Sequence, residues 1–315
     1  MKQHKIINNL ISNIMKRFFI CAAAAIVALA SCSKTQVVYN DAPEEIGFKA
    51  VAGAVTKAEQ ADATLDGTMG VFAFVTGGTT AYFENISFSN KGGDVWTGTT
   101  ESMYWPVTSG LDFAVYAPWE SEEGAEFATN ILTVKADNSA KITIDAQEDY
   151  LYGAAYYNNN SNGFDKNTVS VPVTLKHAQA KVTVSFTGEN VTVTDVKLTA
   201  PVLKGSYAVT YGDPVTVDWT PGVANGEVSL ISSATLTDTP SAASLMVVPE
   251  TNTTITFYYQ IDGSDAKLPY TITPSANWAY GTHYIYNVEI SPKEIKFTPT
   301  VDPSWETGAT TDTEL

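Results

Sequence analysis

Arginine is almost missing from this chain: Arg17 is the only one in 315 residues, beside three histidines and two cysteines. The guanidinium is the usual bidentate clamp for phosphate, so phosphate recognition loses its main tool. Basic residues are scarce as a class, 18 against 34 acidic ones, for a formal net charge of −16. Four of the 18 (Lys2, Lys5, Lys16, Arg17) fall in the first 31 positions, which hold no acid. From Cys32 onward the count is therefore 14 against 34, or −20. Such a surface repels nucleic-acid backbones, and no nucleic-acid partner is expected. Helical periodicity is absent too, since no stretch of a dozen residues joins apolar 3.6-residue spacing to end caps.

Motifs that carry chemistry are equally thin. Of the histidines, His4 lies near the start, and His177 and His283 have no His, Cys or acidic neighbour at metal-ligand spacing. HExxH, GxSxG and phosphate-loop patterns do not occur. Gln147-Glu148-Asp149 reads as a solvated turn in preference to an acid–base pair. Asp262-Gly263-Ser264-Asp265 resembles part of a calcium loop but lacks the glutamate at loop position 12, and a hairpin turn accounts for it better. Tyr156-Tyr157-Asn158-Asn159-Asn160 reads as a tyrosine-bearing loop or strand edge, with a sugar-stacking platform as the alternative. Trp96, Trp105, Trp119, Trp278 and Trp305 are scattered singly, as core and rim residues are. No enzymatic activity, cofactor or metal is expected.

The N-terminus does carry a signal. From Met15, Lys16 and Arg17 precede an apolar run from Phe18 to Ala30, then small residues, which is the order of a secretory signal peptide. The run is shorter than the ~20 residues that span a bilayer. Residues 1–31 are the expected signal peptide, with Met15 an alternative start. Leu29-Ala30-Ser31-Cys32 fits the lipobox of bacterial lipoproteins, in which small residues precede a cysteine that carries acyl chains. Several chains on one cysteine hold a membrane firmly. Ser33 after the cysteine resembles outer-membrane sorting, and residues 32–44 form a polar tether. Cys21 lies inside the apolar run, so the processed chain has no internal disulfide to form.

From Ile46 onward apolar residues recur with period two. Val71–Val75, Leu111–Tyr116, Val182–Phe186, Val191–Leu198, Leu245–Val248, Ile255–Gln260, Tyr270–Thr273, Tyr284–Ile290 and Ile295–Val301 all read as strands. Leu132–Val134 and Ile142–Ile144 read as a hairpin across Asp137-Asn138-Ser139. At ~150 residues per domain, the spacing predicts an all-β chain of two β-sandwiches in series, residues 45–188 and 189–315.

Several stretches, in order, resemble the fimbrillin family, the subunits of type V pili. Tyr104-Trp105-Pro106 followed by Leu111-Asp112-Phe113-Ala114-Val115-Tyr116-Ala117-Pro118 is similar to one family signature. Asp149-Tyr150-Leu151-Tyr152-Gly153 and Leu175-Lys176-His177-Ala178-Gln179-Ala180-Lys181-Val182 resemble two more, and Lys204-Gly205-Ser206-Tyr207, Met246-Val247-Val248-Pro249 and Trp278 with Tyr284-Ile285-Tyr286 match later positions. As residues these read as packing: Phe113, Val115 and Ala117 share one strand face, and His177 reads as a structural hydrogen-bonding residue.

The resemblance implies tandem transthyretin-like, Greek-key sandwiches and a pilus subunit that supports adhesion. Such a subunit is exported as a lipoprotein to the outer membrane and cell surface, cut to remove its first strand, and polymerised with other pilin subunits by strand addition. Here the candidate removable strand is Ile46–Thr56, with Ile46, Phe48, Ala50, Ala52 and Ala54 on one face, and the candidate cut lies between Lys57 and Ala58. Small residues on that face give weak grip. An ordinary first strand followed by an exposed lysine is the other reading. The best-known members are cut after arginine, which the processed chain lacks. The candidate donor strand lies near residues 291–303, with Ile295, Phe297 and Val301 on one face; an ordinary terminal strand fits it equally. The alternative function is a non-polymerising outer-membrane surface lipoprotein that binds glycans; a host or bacterial glycan or protein receptor is a further candidate partner.

Overall fold

The computed structural model describes residues 43–52, 67–90, 95–155, 163–251, 253–275, 277–302, Trp305 and 313–314. In chain order the strands are β1 (Phe48–Ala52), β2 (Thr68–Val75), β3 (Ala81–Asn90), β4 (Trp96–Gly98), β5 (Leu111–Ala117), β6 (Ala125–Ala128), β7 (Ile131–Asp137), β8 (Leu151–Ala155), β9 (Val171–His177) and β10 (Ala180–Gly188). There follow β11 (Val191–Leu198), β12 (Lys204–Thr210), β13 (Thr216–Pro221), β14 (Val228–Thr235), β15 (Ser241–Val247), β16 (Ile255–Ile261), β17 (Leu268–Ile272), β18 (His283–Ile290), β19 (Ile295–Asp302) and β20 (Thr313–Glu314). The expected all-β class is what is found.

The first core is a closed barrel of order β1-β4-β3-β2-β5-β8-β9. Inward residues of alternating strand positions fill it, among them Phe48, Phe88, Trp96, Phe113 and Leu175. Barrel closure removes free sheet edges. A four-stranded sheet of order β13-β12-β7-β6 lies against its outer face. There Phe72, Phe74, Tyr116, Tyr150 and Tyr152 of the barrel side meet Leu132, Val134, Tyr207, Val209 and Tyr211. Strands β2 and β5 are therefore covered on both faces, which is why all seven residues of Leu111–Ala117 are buried. That continuous burial matches an apolar run better than a simple alternation.

The hairpin β12–β13 comes from beyond residue 188 yet pairs with β7 over seven residues, Lys204↔Asp137 to Thr210↔Ile131. Two tyrosine hydroxyls from it cap backbone carbonyls of β8: Tyr207 donates to Leu151 at 3.0 Å and Tyr211 to Gly153 at 2.7 Å. Gly153 has no side chain for a packing reason. A Cβ there would stand 2.8 Å from the Thr174 carbonyl and 2.9 Å from Leu175 Cδ2, closer than a real side chain allows.

The second core is a sandwich of two sheets, β15-β10-β18-β19-β20 and β14-β11-β16-β17. Phe186, Val193, Leu198, Leu245, Phe257, Tyr286 and Ile290 interdigitate between them. The turn at Glu189-Asn190 joins β10 to β11, one in each sheet, with Asn190 at φ 56.

The expected hairpin across Asp137-Asn138-Ser139 is not formed. β7 pairs instead with β6 and β12, and a single 3-10 turn spans Ile144–Ala146. The cause is Asn138, fully buried, whose amide donates to the Glu148 carbonyl and accepts from the Glu148 N–H, both at 2.9 Å. These bonds fold the intervening residues into a loop, and Ile142 is left exposed.

Candidate assembly site

Strand β1 is the seam of the barrel. It runs parallel to β9 in five register pairs, Phe48↔Val171 to Ala52↔Leu175, and among the described residues it meets β4 at Phe48↔Trp96. Just upstream the chain is held by the Tyr104-Trp105 stretch: Ile46 N–H donates to the Met103 carbonyl at 2.6 Å, and Trp105 N–H to Glu44 at 3.0 Å. Tyr104 of that stretch forms an isolated antiparallel bridge with Glu45.

The side chains of β1 divide along its length. Ile46 and Phe48 are fully buried. The Phe48 ring stands edge-on to Phe88 and to Phe113, each at 5.0 Å, the arrangement aromatic quadrupoles favour. Ala50 is half-buried against the barrel core, while Lys49 and Val51 face solvent. Full burial of a phenylalanine contributes about 2–3 kcal/mol, so among the described side chains Ile46 and Phe48 supply the main apolar grip. The inward face at Ile46, Phe48 and Ala50 is as the alternation predicts. Ala52 is described through its backbone, and Ala54, Lys57, Ala58 and Cys32 lie outside the described residues, as do Tyr156-Tyr157.

At the other end of the chain, β19 pairs antiparallel with β18 over eight positions, Ile290↔Ile295 to His283↔Asp302. Ile295, Phe297 and Val301 pack, partly buried, on the sandwich core, and Phe297 stacks on Tyr286 at 5.7 Å and 7°. No residue of β19 is fully buried. On its outer side β20 pairs with Thr300 and Val301.

The histidines mark where the two cores meet the C-terminus. His177 Nδ1 lies 2.9 Å from the Asp149 carboxylate, so the second and third family-like stretches are neighbours in space. Two further bonds join them: Ala178 N–H donates to the Tyr150 carbonyl at 2.8 Å, and Tyr150 N–H to the side-chain Oε1 of Gln179 at 3.3 Å. The Trp305 ring stacks on His177 at 3.9 Å and 14°, and stands at 6.4 Å from His283. His283 Nε2 is 2.7 Å from Thr183 Oγ1, and its Nδ1 is 3.5 Å from Asp302. Burial, helped by Lys181 and opposed by Asp302, pushes the His283 pKa down to about 4. The row Asp302–His283–Thr183 has the residue types of a nucleophile relay. It lies across β19, β18 and β10, whose backbone groups are engaged in the sheet ladders.

Gln147-Glu148-Asp149 is a turn whose members each have a structural partner. Gln147 clamps the Met246 peptide with both amide atoms, donating to its carbonyl at 2.9 Å and accepting from its N–H at 2.6 Å. Glu148 pairs with Lys141 at 2.8 Å. Asp262-Gly263 turns β16 into β17, with Gly263 at φ 82. Among the described residues no three His, Cys, Asp or Glu side chains gather as a metal would need. The contacts of Gln147 and Trp305 were not foreseen, since nothing in a sequence marks pairs 99 and 128 residues apart.

Comparison with known proteins gives the same outline. A putative cell adhesion protein from Bacteroides uniformis superposes with a TM-score of 0.56 at 18% identity, covering 83% of this chain and 98% of that one. A second, from Bacteroides ovatus, gives 0.57 at 18%, covering 82% and 96%. A fimbrial protein from Bacteroides vulgatus gives 0.56 at 16%, covering 82% and 98%. At such identities these establish the fold. No curated protein matches the sequence. The model of the fimbrillin-like family, however, matches residues 55–305, most of the chain, and the chain belongs to that family.

Proposed function

We propose that this protein is a structural subunit of a fimbrillin-type pilus, exported to the outer membrane as a lipoprotein acylated on Cys32 and serving cell adhesion. In this reading a protease cuts between Lys57 and Ala58, β1 leaves the barrel, and a strand from a neighbouring subunit takes its place. Residues near 291–303, which include β19, supply that strand. The observation that carries the reading is the position of β1: it completes a closed barrel, pairs with β9 over five positions and seats Phe48 in the barrel core. Its departure would uncover an apolar slot flanked by Phe88, Phe113 and Leu175, and a slot of that kind is filled most cheaply by another strand.

N-terminal sequencing and intact mass of the surface form provide the test. The chain should begin at Ala58 and run on gels as SDS-resistant ladders that collapse on boiling. Lys57→Ala should leave the monomer folded and abolish the ladders. A surface form that begins at Cys32 and stays monomeric would sink the polymerisation reading and leave Cys32 as a permanent anchor.

A further inference from the structure

We infer that the β1 slot selects an Ile-x-Phe strand, and that β19 of a second copy of this chain enters it in one register, with Ile295 replacing Ile46, Phe297 replacing Phe48 and Pro299 replacing Ala50. This rests on the strand-exchange reading above and adds the partner and the alignment.

The slot is demanding at two points and permissive at a third. Ile46 and Phe48 are fully buried, and Phe48 is boxed by two perpendicular rings; Ala50 is half-buried. The β19 sequence Ile295-Lys296-Phe297-Thr298-Pro299 repeats the spacing of Ile46-Gly47-Phe48-Lys49-Ala50. The same spacing recurs at Ile86-Ser87-Phe88 and Ile255-Thr256-Phe257. Those stretches lie in β3 and β16, strands paired on both sides, with Phe88 and Phe257 already buried in their own cores. Strand β19 is terminal in its sheet apart from the short β20, and its residues are only partly buried where they now sit. Phe297 is only partly buried where it sits, whereas the Phe48 position is fully buried, and the exchange gives up the eight-pair ladder with β18.

Hydrogen-bond parity favours the same alignment. The Val171 N–H donates to the Gly47 carbonyl at 2.8 Å. In a parallel ladder alternate residues serve one neighbour, so residues 47, 49 and 51 bond to β9 while 48 and 50 turn their N–H groups away. Pro299 at the Ala50 position therefore costs no bond to β9. Sliding the strand by two residues puts Pro299 between Phe88 and Phe113, or Phe297 in the Ala50 position. One point resists: a Cβ at position 47 would stand 2.9 Å from Val95 Cγ1, so Lys296 displaces the Val95 side chain, which is exposed enough to turn.

Cysteine pairs in full-length protein test the register. Lys49 faces Pro172, and Val51 faces Thr174, in exposed positions of the outer surface. Chains carrying Thr298→Cys, mixed during assembly with chains carrying Pro172→Cys, should form a disulfide-linked pair several-fold more abundantly than with Thr174→Cys partners. Val95→Ala in the acceptor should speed the joining, and Phe297→Ala in the donor should slow it at least tenfold. Ladders that form with linkage through Thr174, or through neither position, would overturn the register and leave strand exchange standing. Protein that retains β1 and forms no ladders overturns strand exchange, and this inference with it.

Discussion

His283 shows how a single side chain ties the sandwich to pH. Its folded pKa of about 4 lies below the ~6.5 of an exposed histidine, so the unfolded chain takes up the proton first. The stability that depends on neutral His283 is complete above ~6.5 and is lost as pH falls from there to about 4, by at most about 3 kcal/mol. Denaturant titrations at pH 7 and pH 4.5 should show the loss, and His283→Gln should remove its own share of that slope. The charged groups around it, Lys181 and Asp302, act in opposite directions. Residues of this kind were only half legible. That His177 is a hydrogen-bonding group could be read from its place in a motif. That its partner is Asp149, in another motif, and that Trp305 covers its ring could not, because such contacts depend on how the chain returns to itself.

Among the elements, legibility followed local pattern. The strands at Val71–Val75, Leu111–Tyr116 and Val182–Phe186 emerged where β-branched and aromatic runs stop at Gly, Pro or Thr. Ile142–Ile144 has the same composition but no strand, because the Asn138 side chain takes over the backbone groups of Glu148. The loop so formed delivers Gln147 to β15. A sheet edge offers unpaired backbone groups, and the Gln147 amide imitates a neighbouring strand at Met246. Gln147→Ala should cost about 1 kcal/mol and raise hydrogen exchange at the Met246 amide while leaving that of β10 unchanged.

For the whole molecule, the period-two spacing pointed to the all-β class, but no local signal announced that β12–β13 reaches back to β7. That hairpin covers Phe72, Phe74 and Tyr116 with Tyr207, Val209 and Tyr211. A chain ending at Gly188 lacks the cover, so it should be degraded by dilute protease under conditions in which the full chain survives. A soluble, protease-resistant fragment would show that β12–β13 is dispensable to the barrel. The parallel alignment of β1 with β9 also has a mechanical side. Any pull arriving through the residues upstream of Pro43 enters the barrel at Ile46 and Phe48, its most deeply seated side chains. Directed along the strand, that load is shared in shear by all five register pairs; directed away from the wall, it peels them one at a time. The same seam can thus resist tension along its axis and still yield to a pull directed away from the wall.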